Sequence, residues 1–183
     1  MVNRLFLTVA VFLVFIKFYA ALNTNFNLFG DEAQYWLWSK SLSFGYFSKP
    51  PLLAWVLRVY TEIFGDSFLA LKFFSTPVYI ITSFVVYGIC KNLELSRQDS
   101  FSCAVVFFII PSVSLSSFIV STDVLLLLFW ALMLNLILTI RNNPNYFKFF
   151  FLGIALGLGF LSKYAAVYFI ICLFVFFLFD KKT

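Results

Sequence analysis

The chain carries eight Asp and Glu residues and no His, so any acid or base catalysis it performs falls to carboxylates. Asp31 and Glu32 follow Phe29-Gly30 at the start of a helical pattern. There the helix dipole keeps a carboxylate ionised and able to accept a proton from an incoming hydroxyl or amine. Asp is also a favoured N-cap, so Asp31 is equally suited to closing off backbone N–H groups. Asp123 stands between two apolar runs, where ionising an acid beside hydrocarbon costs free energy and marks it as a functional candidate. Capping of the following helix by Ser121, Thr122 or Asp123 is the competing role. Lys49 precedes Pro50-Pro51, which hold it extended and remove two backbone donors. Its ammonium suits a lipid phosphate, whether that of a substrate or of ordinary phospholipid. Lys163, alone between two apolar runs, either neutralises a bound anion or snorkels to the interface.

The elements that must position these groups lie in a membrane. The sequence is 63% hydrophobic and 11% charged, with a mean hydropathy of +0.99, well beyond the roughly 45–50% apolar content of soluble domains. Uncharged or nearly uncharged runs at 5–22, 73–90, 100–122, 124–140, 149–162 and 164–179 predict an all-α integral membrane protein of about six transmembrane helices. Lys17, inside the first run, is expected to snorkel outward. The last two runs, separated by Lys163, are expected to form a hairpin, because one unbroken helix would far exceed the hydrocarbon thickness of roughly 30 Å. An even number of spans puts both termini on one side. Arg4, Lys91, Arg97, Arg141, Lys148, Lys181 and Lys182 crowd the short segments of that side, which the positive-inside rule makes cytoplasmic. Asp31, Glu32 and Asp123 then face outward. Because the cations sit at helix ends, the net charge of +5 is a topology signal, and nucleic acid is not an expected partner.

The first outer loop, 23–67, is too apolar for a free linker and predicts two amphipathic juxtamembrane helices. In the first, over 31–42, Ala33, Trp36 and Leu37 form the apolar face, while Tyr35 and Trp38 suit the headgroup level. Pro51 is expected at the first position of the second, which ends before Gly65. There Leu52, Val56, Val59 and Ile63 recur at helical spacing, with Arg58 and Glu62 on the polar side. Cys90, Cys103 and Cys172 lie in apolar runs without metal or redox spacing and read as small hydrophobes. Gly153, Gly157 and Gly159 fall inside an apolar run with no preceding strand. They suit close helix packing and not a nucleotide loop. Pro77 and Pro111 are expected to kink their helices. No linker or internal repeat divides residues 1–183, which are read as a single domain whose remainder is expected beyond the C-terminus.

The segments Gly30-Asp-Glu-Ala-Gln-Tyr-Trp-Leu-Trp38 and Gly45-Tyr-Phe-Ser-Lys-Pro-Pro-Leu-Leu-Ala-Trp55 resemble the first outer loop of GT-C glycosyltransferases. The nearest types are the bacterial protein-mannosyltransferase-like and aminoarabinose-transferase-like families. The likeness continues through Ser121-Thr-Asp-Val124 and Gly153 to Tyr164. The resemblance implies transfer of a sugar from a polyprenyl-phosphate donor to a lipid, polysaccharide or protein acceptor at the outer face of a bacterial inner membrane. It also implies Asp31 as the catalytic acid of the first loop, Lys49 as the lysine on the donor phosphate, and Asp123 as a second acid at the rim. Glu32 and Asp123 can position the acceptor or share a divalent cation through oxygen ligands. The sequence requires no cofactor and contains no complete metal site. A nonenzymatic transporter fragment or assembly subunit is the alternative. Such proteins place functional charges near the bilayer midplane, whereas here the candidates gather at one interface.

Overall fold

A computed structural model of the chain describes residues 2–23 and 27–179. Lys181 and Lys182, used above as topology signals, lie outside the described residues. Within them the protein is helical: α1 (Val2–Asn23), α2 (Gly30–Lys40), α3 (Leu52–Phe64), α4 (Phe68–Phe73), α5 (Ser75–Asn92), α6 (Arg97–Ile109), α7 (Pro111–Ser116), α8 (Thr122–Asn142), α9 (Tyr146–Ser162), a 3-10 turn (Tyr164–Ala166) and α10 (Val167–Phe179). Two stretches are long and apolar enough to cross a membrane, Phe68–Asn92, which joins α4 to α5, and Thr122–Asn142. Shorter apolar helices cover Leu7–Asn23, Tyr146–Ser162 and Tyr164–Phe179.

α5 is the centre of the packing, with α6 on one side and α8 on the other. α1 leans on α6, α9 on α8, and α2 pairs with α3. Between α5 and α8 the contact is polar and close. Asn92 Nδ2 donates to Asn135 Oδ1 at 2.8 Å and to Thr139 Oγ1 at 3.0 Å, and a Cβ added to Gly88 would meet Asn135 Oδ1 at 3.2 Å. Such small-residue contacts with side-chain hydrogen bonds hold helices together where apolar burial gives no preference over lipid. α10 buries none of its residues. Its exposed Phe174, Phe176, Phe177 and Phe179 would be an aggregation surface in water and are ordinary against lipid.

Two expected features are placed differently. The 100–122 run is not one helix. Pro111 has no N–H and pushes the residue before it out of the helical region, and Ile110 takes φ −52°, ψ 132°. α6 therefore ends at Ile109, at 13 residues or about 20 Å, and α7 restarts with Pro111 in its first turn. Pro77, for the same reason, falls in the first turn of α5, just after the break between α4 and α5, and interrupts no helix interior. Lys17 turns toward the protein. Its Nζ donates to Ser117 Oγ at 2.7 Å and sits 5.6 Å from the Phe108 ring centre, which ties α1 inward to the segment after α7.

The loop helices exist where expected, but their faces differ. α2 buries Glu32, Tyr35 and Ser39, while Leu37 is exposed, so the inward face is one step around from the Ala33, Trp36 and Leu37 face. α3 begins at Leu52, with Pro51 as the capping position, and ends at Gly65, whose φ of +82° favours glycine. Its packed side is Leu53, Leu57 and Thr61. The stripe read from sequence is divided, with Leu52 buried and Val56 packed against the core while Val59 is 57% and Ile63 69% exposed. Arg58 and Glu62 do pair on the polar side, at 2.7 Å.

Candidate active site

The first turn of α2 divides the labour of its two acids. The N-cap residue is Phe29, which offers no side-chain oxygen, and Glu32 supplies the missing cap by accepting the Phe29 N–H at Oε2, 2.9 Å. The same oxygen meets Lys72 Nζ at 2.5 Å, and Oε1 accepts the Val120 N–H at 3.0 Å. Both side chains are buried, Glu32 1% and Lys72 5% exposed, with the rings of Phe29, Phe68 and Phe118 around the ammonium at 4.7, 5.6 and 5.8 Å. Glu32 thus joins α2, α4 and the segment leading into α8. With the cap provided from Glu32, Asp31 is left exposed at the helix N-terminus. Its carboxylate has no hydrogen-bond or ion-pair partner among the described residues.

One turn beyond Asp31, Tyr35 is buried at 4% exposure in the cluster formed with Leu53, Leu57, Phe74 and Val120. Burial, followed by the charges of Asp31 and Asp123, pushes the phenol above its ordinary value. Capping of α8 belongs to Ser121, whose Oγ accepts the Asp123 N–H at 3.1 Å. The Asp123 carboxylate is free for Lys163, with Nζ to Oδ1 at 2.5 Å and the acid 61% exposed. Lys163 follows α9 in extended backbone, so its ammonium is delivered to the start of α8 instead of hanging into a turn.

Lys49 sits on a loop folded against α2 and α3. Tyr46 stacks on Trp38 with centroids 4.6 Å apart and donates its hydroxyl to Trp38 O at 2.9 Å. Trp55 Nε1 donates to Ser43 O at 2.9 Å, and the Tyr46 N–H reaches Lys49 O at 3.2 Å. Pro50 and Pro51 are buried beneath, leaving Lys49 half-exposed and its ammonium without a partner among the described residues. At the far side of the loop helices, Asp66 binds Lys40 at 2.5 Å and the Trp36 indole at 3.0 Å. The Lys40 and Trp36 hydrogen bonds hold its carboxyl below the usual range.

Of the five residues singled out from the sequence, Asp123 and Lys163 pair directly, and the charges of Asp31 and Asp123 both bear on Tyr35. Glu32 turns inward, and Lys49 touches none of the others. No group of three or more His, Cys, Asp or Glu able to hold a metal occurs among the described residues. Lys72 and Tyr35 were not read as site residues. The signal for Lys72 was present, a cation directly before a long apolar helix, where burial demands an acid partner.

The dolichyl-phosphate-mannose-protein mannosyltransferase family matches residues 48–183. The chain belongs to this family. The lipid A galacturonosyltransferase RgtD of Rhizobium johnstonii is 34% identical over 143 residues, which are 78% of this chain and 30% of that protein. The undecaprenyl phosphate-alpha-4-amino-4-deoxy-L-arabinose arabinosyl transferase of Yersinia enterocolitica is 30% identical over 132 residues, 70% of this chain and 24% of that one. The chain thus spans less than a third of the length of either relative. No solved structure matches it.

Proposed function

We propose that this chain forms the donor-binding and catalytic face of a glycosyltransferase that uses a polyprenyl-phosphate sugar at the outer face of a bacterial inner membrane. In this reading α1, α4–α5, α6–α7, α8, α9 and α10 make six crossings, both termini are cytoplasmic, and α2 and α3 lie along the outer interface. The outward apolar stripe of α3, with Val59 and Ile63 exposed, then rests in the acyl boundary.

The acceptor hydroxyl or amine gives its proton to Asp31 as its oxygen or nitrogen bonds to the anomeric carbon. The bond from that carbon to the phosphate oxygen breaks, and the electron pair leaves on the polyprenyl phosphate, whose charge Lys49 stabilises. A single displacement inverts the anomeric configuration. Asp123 and Lys163 stand at the rim, where the lysine exchanges its carboxylate partner for an incoming phosphate or the acid orients the acceptor. Glu32 acts on the site only through the position of α2. The name of the Rhizobium relative favours a lipid acceptor of the lipid A class, and that of the Yersinia relative favours a sugar carried on undecaprenyl phosphate.

The observation that carries this reading is the free Asp31 carboxylate beside a helix end whose cap comes from Glu32. Asp31→Asn is the test, since Asn keeps the size and any capping capacity. Single-turnover transfer from a labelled undecaprenyl-phosphate sugar should fall by about 10²–10⁴-fold, with donor affinity and expression held near wild type. Near-normal transfer by the folded variant would remove the base from the mechanism.

A further inference from the structure

A cavity of about 880 Å³ opens between α1, α5 and α6, at the end of the helices away from the candidate active site. Its chemistry is graded along its length. Arg4 and Arg97 line one end, and neither guanidinium has an ion-pair partner among the described residues. Beyond them α1 contributes Leu7, Val11 and Val14, and α6 contributes Phe101, Ala104 and Phe108. Lys17, late in α1, lies over the ring of Phe108, late in α6, so the two helices run in parallel beside the groove. α5 arrives from the opposite direction, through the short turn that joins it to α6, and brings Tyr87 to the cationic mouth and Phe84 and Ile80 to the apolar part.

From Arg4 to Val14 the groove follows about 15 Å of helix, and from Arg4 to the end of α1, near Asp31, is roughly 30 Å. The cationic mouth is thus a membrane thickness away from the acids at the start of α2 and α8. Two guanidiniums with no ion-pair partner among the described residues, above an apolar channel, match one kind of molecule, an amphiphile with an anionic head and hydrocarbon tails.

We propose that this groove holds an anionic phospholipid of the surrounding bilayer, with its phosphodiester between Arg4 and Arg97 and an acyl chain lying along Val11, Val14 and Phe108. The occupant is a resident lipid and not the sugar donor, because its phosphate lies at the interface opposite Asp31 and Lys49. The site goes beyond the proposed transferase activity and does not depend on it.

The protein in phosphatidylcholine nanodiscs doped with phosphatidylglycerol should retain phosphatidylglycerol selectively when released for native mass spectrometry. Arg4→Gln with Arg97→Gln should weaken that retention by roughly 30-fold, about fivefold for each cation near a membrane surface, without changing the helical circular dichroism. Val11→Trp, which places a large ring in the apolar part, should lower retention while both cations remain. Equal retention by wild type and the double arginine variant would overturn the proposal. So would preferential retention of undecaprenyl phosphate over phosphatidylglycerol at this site, which would make it a donor site. Crosslinking of Val11→Cys to a second copy, with no lipid retained, would equally overturn it by showing a protein partner in the groove.

Discussion

Removing either member of the Glu32 and Lys72 pair should destabilise the fold far more than removing any exposed charge of the protein. The two side chains are 1% and 5% exposed, and Glu32 carries two backbone N–H groups besides the ammonium. Breaking a buried pair at one end leaves an uncompensated charge, at a cost of about 3–5 kcal/mol. The exposed Arg58 and Glu62 pair, by comparison, contributes about 0.3–0.5 kcal/mol. Glu32→Gln keeps the shape but turns an amide NH₂ toward groups that are all donors, so its cost belongs at the upper end of that range. Lys72→Met keeps the stem among Phe29, Phe68 and Phe118 and leaves a carboxylate with only its two N–H partners. The double variant, neutral at both positions, should recover about 2 kcal/mol or more of the summed loss, since coupling energies of about 0.5–3 kcal/mol are usual for contacting residues. Reversible unfolding in mixed micelles, followed by circular dichroism for wild type, both singles and the double, gives all four corners of the cycle. Single variants within about 1 kcal/mol of wild type would show that the carboxylate does not hold these elements together. A Glu32→Gln variant of unchanged stability that had lost transfer alone would make Glu32 part of the chemistry.

Lys49→Ala should weaken donor binding as well as turnover by about tenfold or more, the worth of a charge-assisted phosphate contact, measured as the retention of labelled polyprenyl-phosphate sugar in nanodiscs. Lys163→Gln frees Asp123 and should leave stability within about 1 kcal/mol of wild type, because the pair is largely exposed; a collapse of the melting transition would assign Lys163 a structural role instead. Gly88→Leu should separate α5 from α8 and cost about 1–3 kcal/mol by overpacking, whereas Gly88→Ala, with its Cβ at 3.2 Å from Asn135 Oδ1, should be far milder; micelle unfolding distinguishes them. Because the Asp66 carboxyl is held below its usual range by Lys40 and Trp36, its stabilisation of the loop is present at neutral pH and lost as pH falls through the lowered value. The Trp36 indole proton should report this by NMR, shifting only under strongly acidic conditions.

Helix content, the two loop helices and the acids at the starts of α2 and α8 were legible because apolar runs, Gly65, Pro51 and Ser121 are local signals. The faces of α2 were not. Ala33, Trp36 and Leu37 mark an apolar side, but beside lipid an apolar side has two places to go. What decided the rotation was a polar contact to Lys72, forty positions downstream, which no periodicity encodes. The break in the 100–122 run was written in Pro111, which was read as a kink, whereas the restriction it places on Ile110 ends α6 outright. At the site, the alternatives for Asp31 turned on Glu32. An acid at the third helical position can reach back to the residue before the helix, and that relation was visible as spacing.

The Val120 N–H ends on the carboxylate that also caps α2, so the starts of α2 and α8 share one support. Asp31 and Asp123 belong to distant parts of the chain, yet the distance between them is set by one buried side chain that meets neither. Substituting that side chain would spoil the relative placement of both acids and look, in a screen that scores only product, like the loss of a catalytic group. Mutational maps of this protein therefore need a folding readout beside the activity column, since the position most sensitive to change is expected to be one the substrate never reaches.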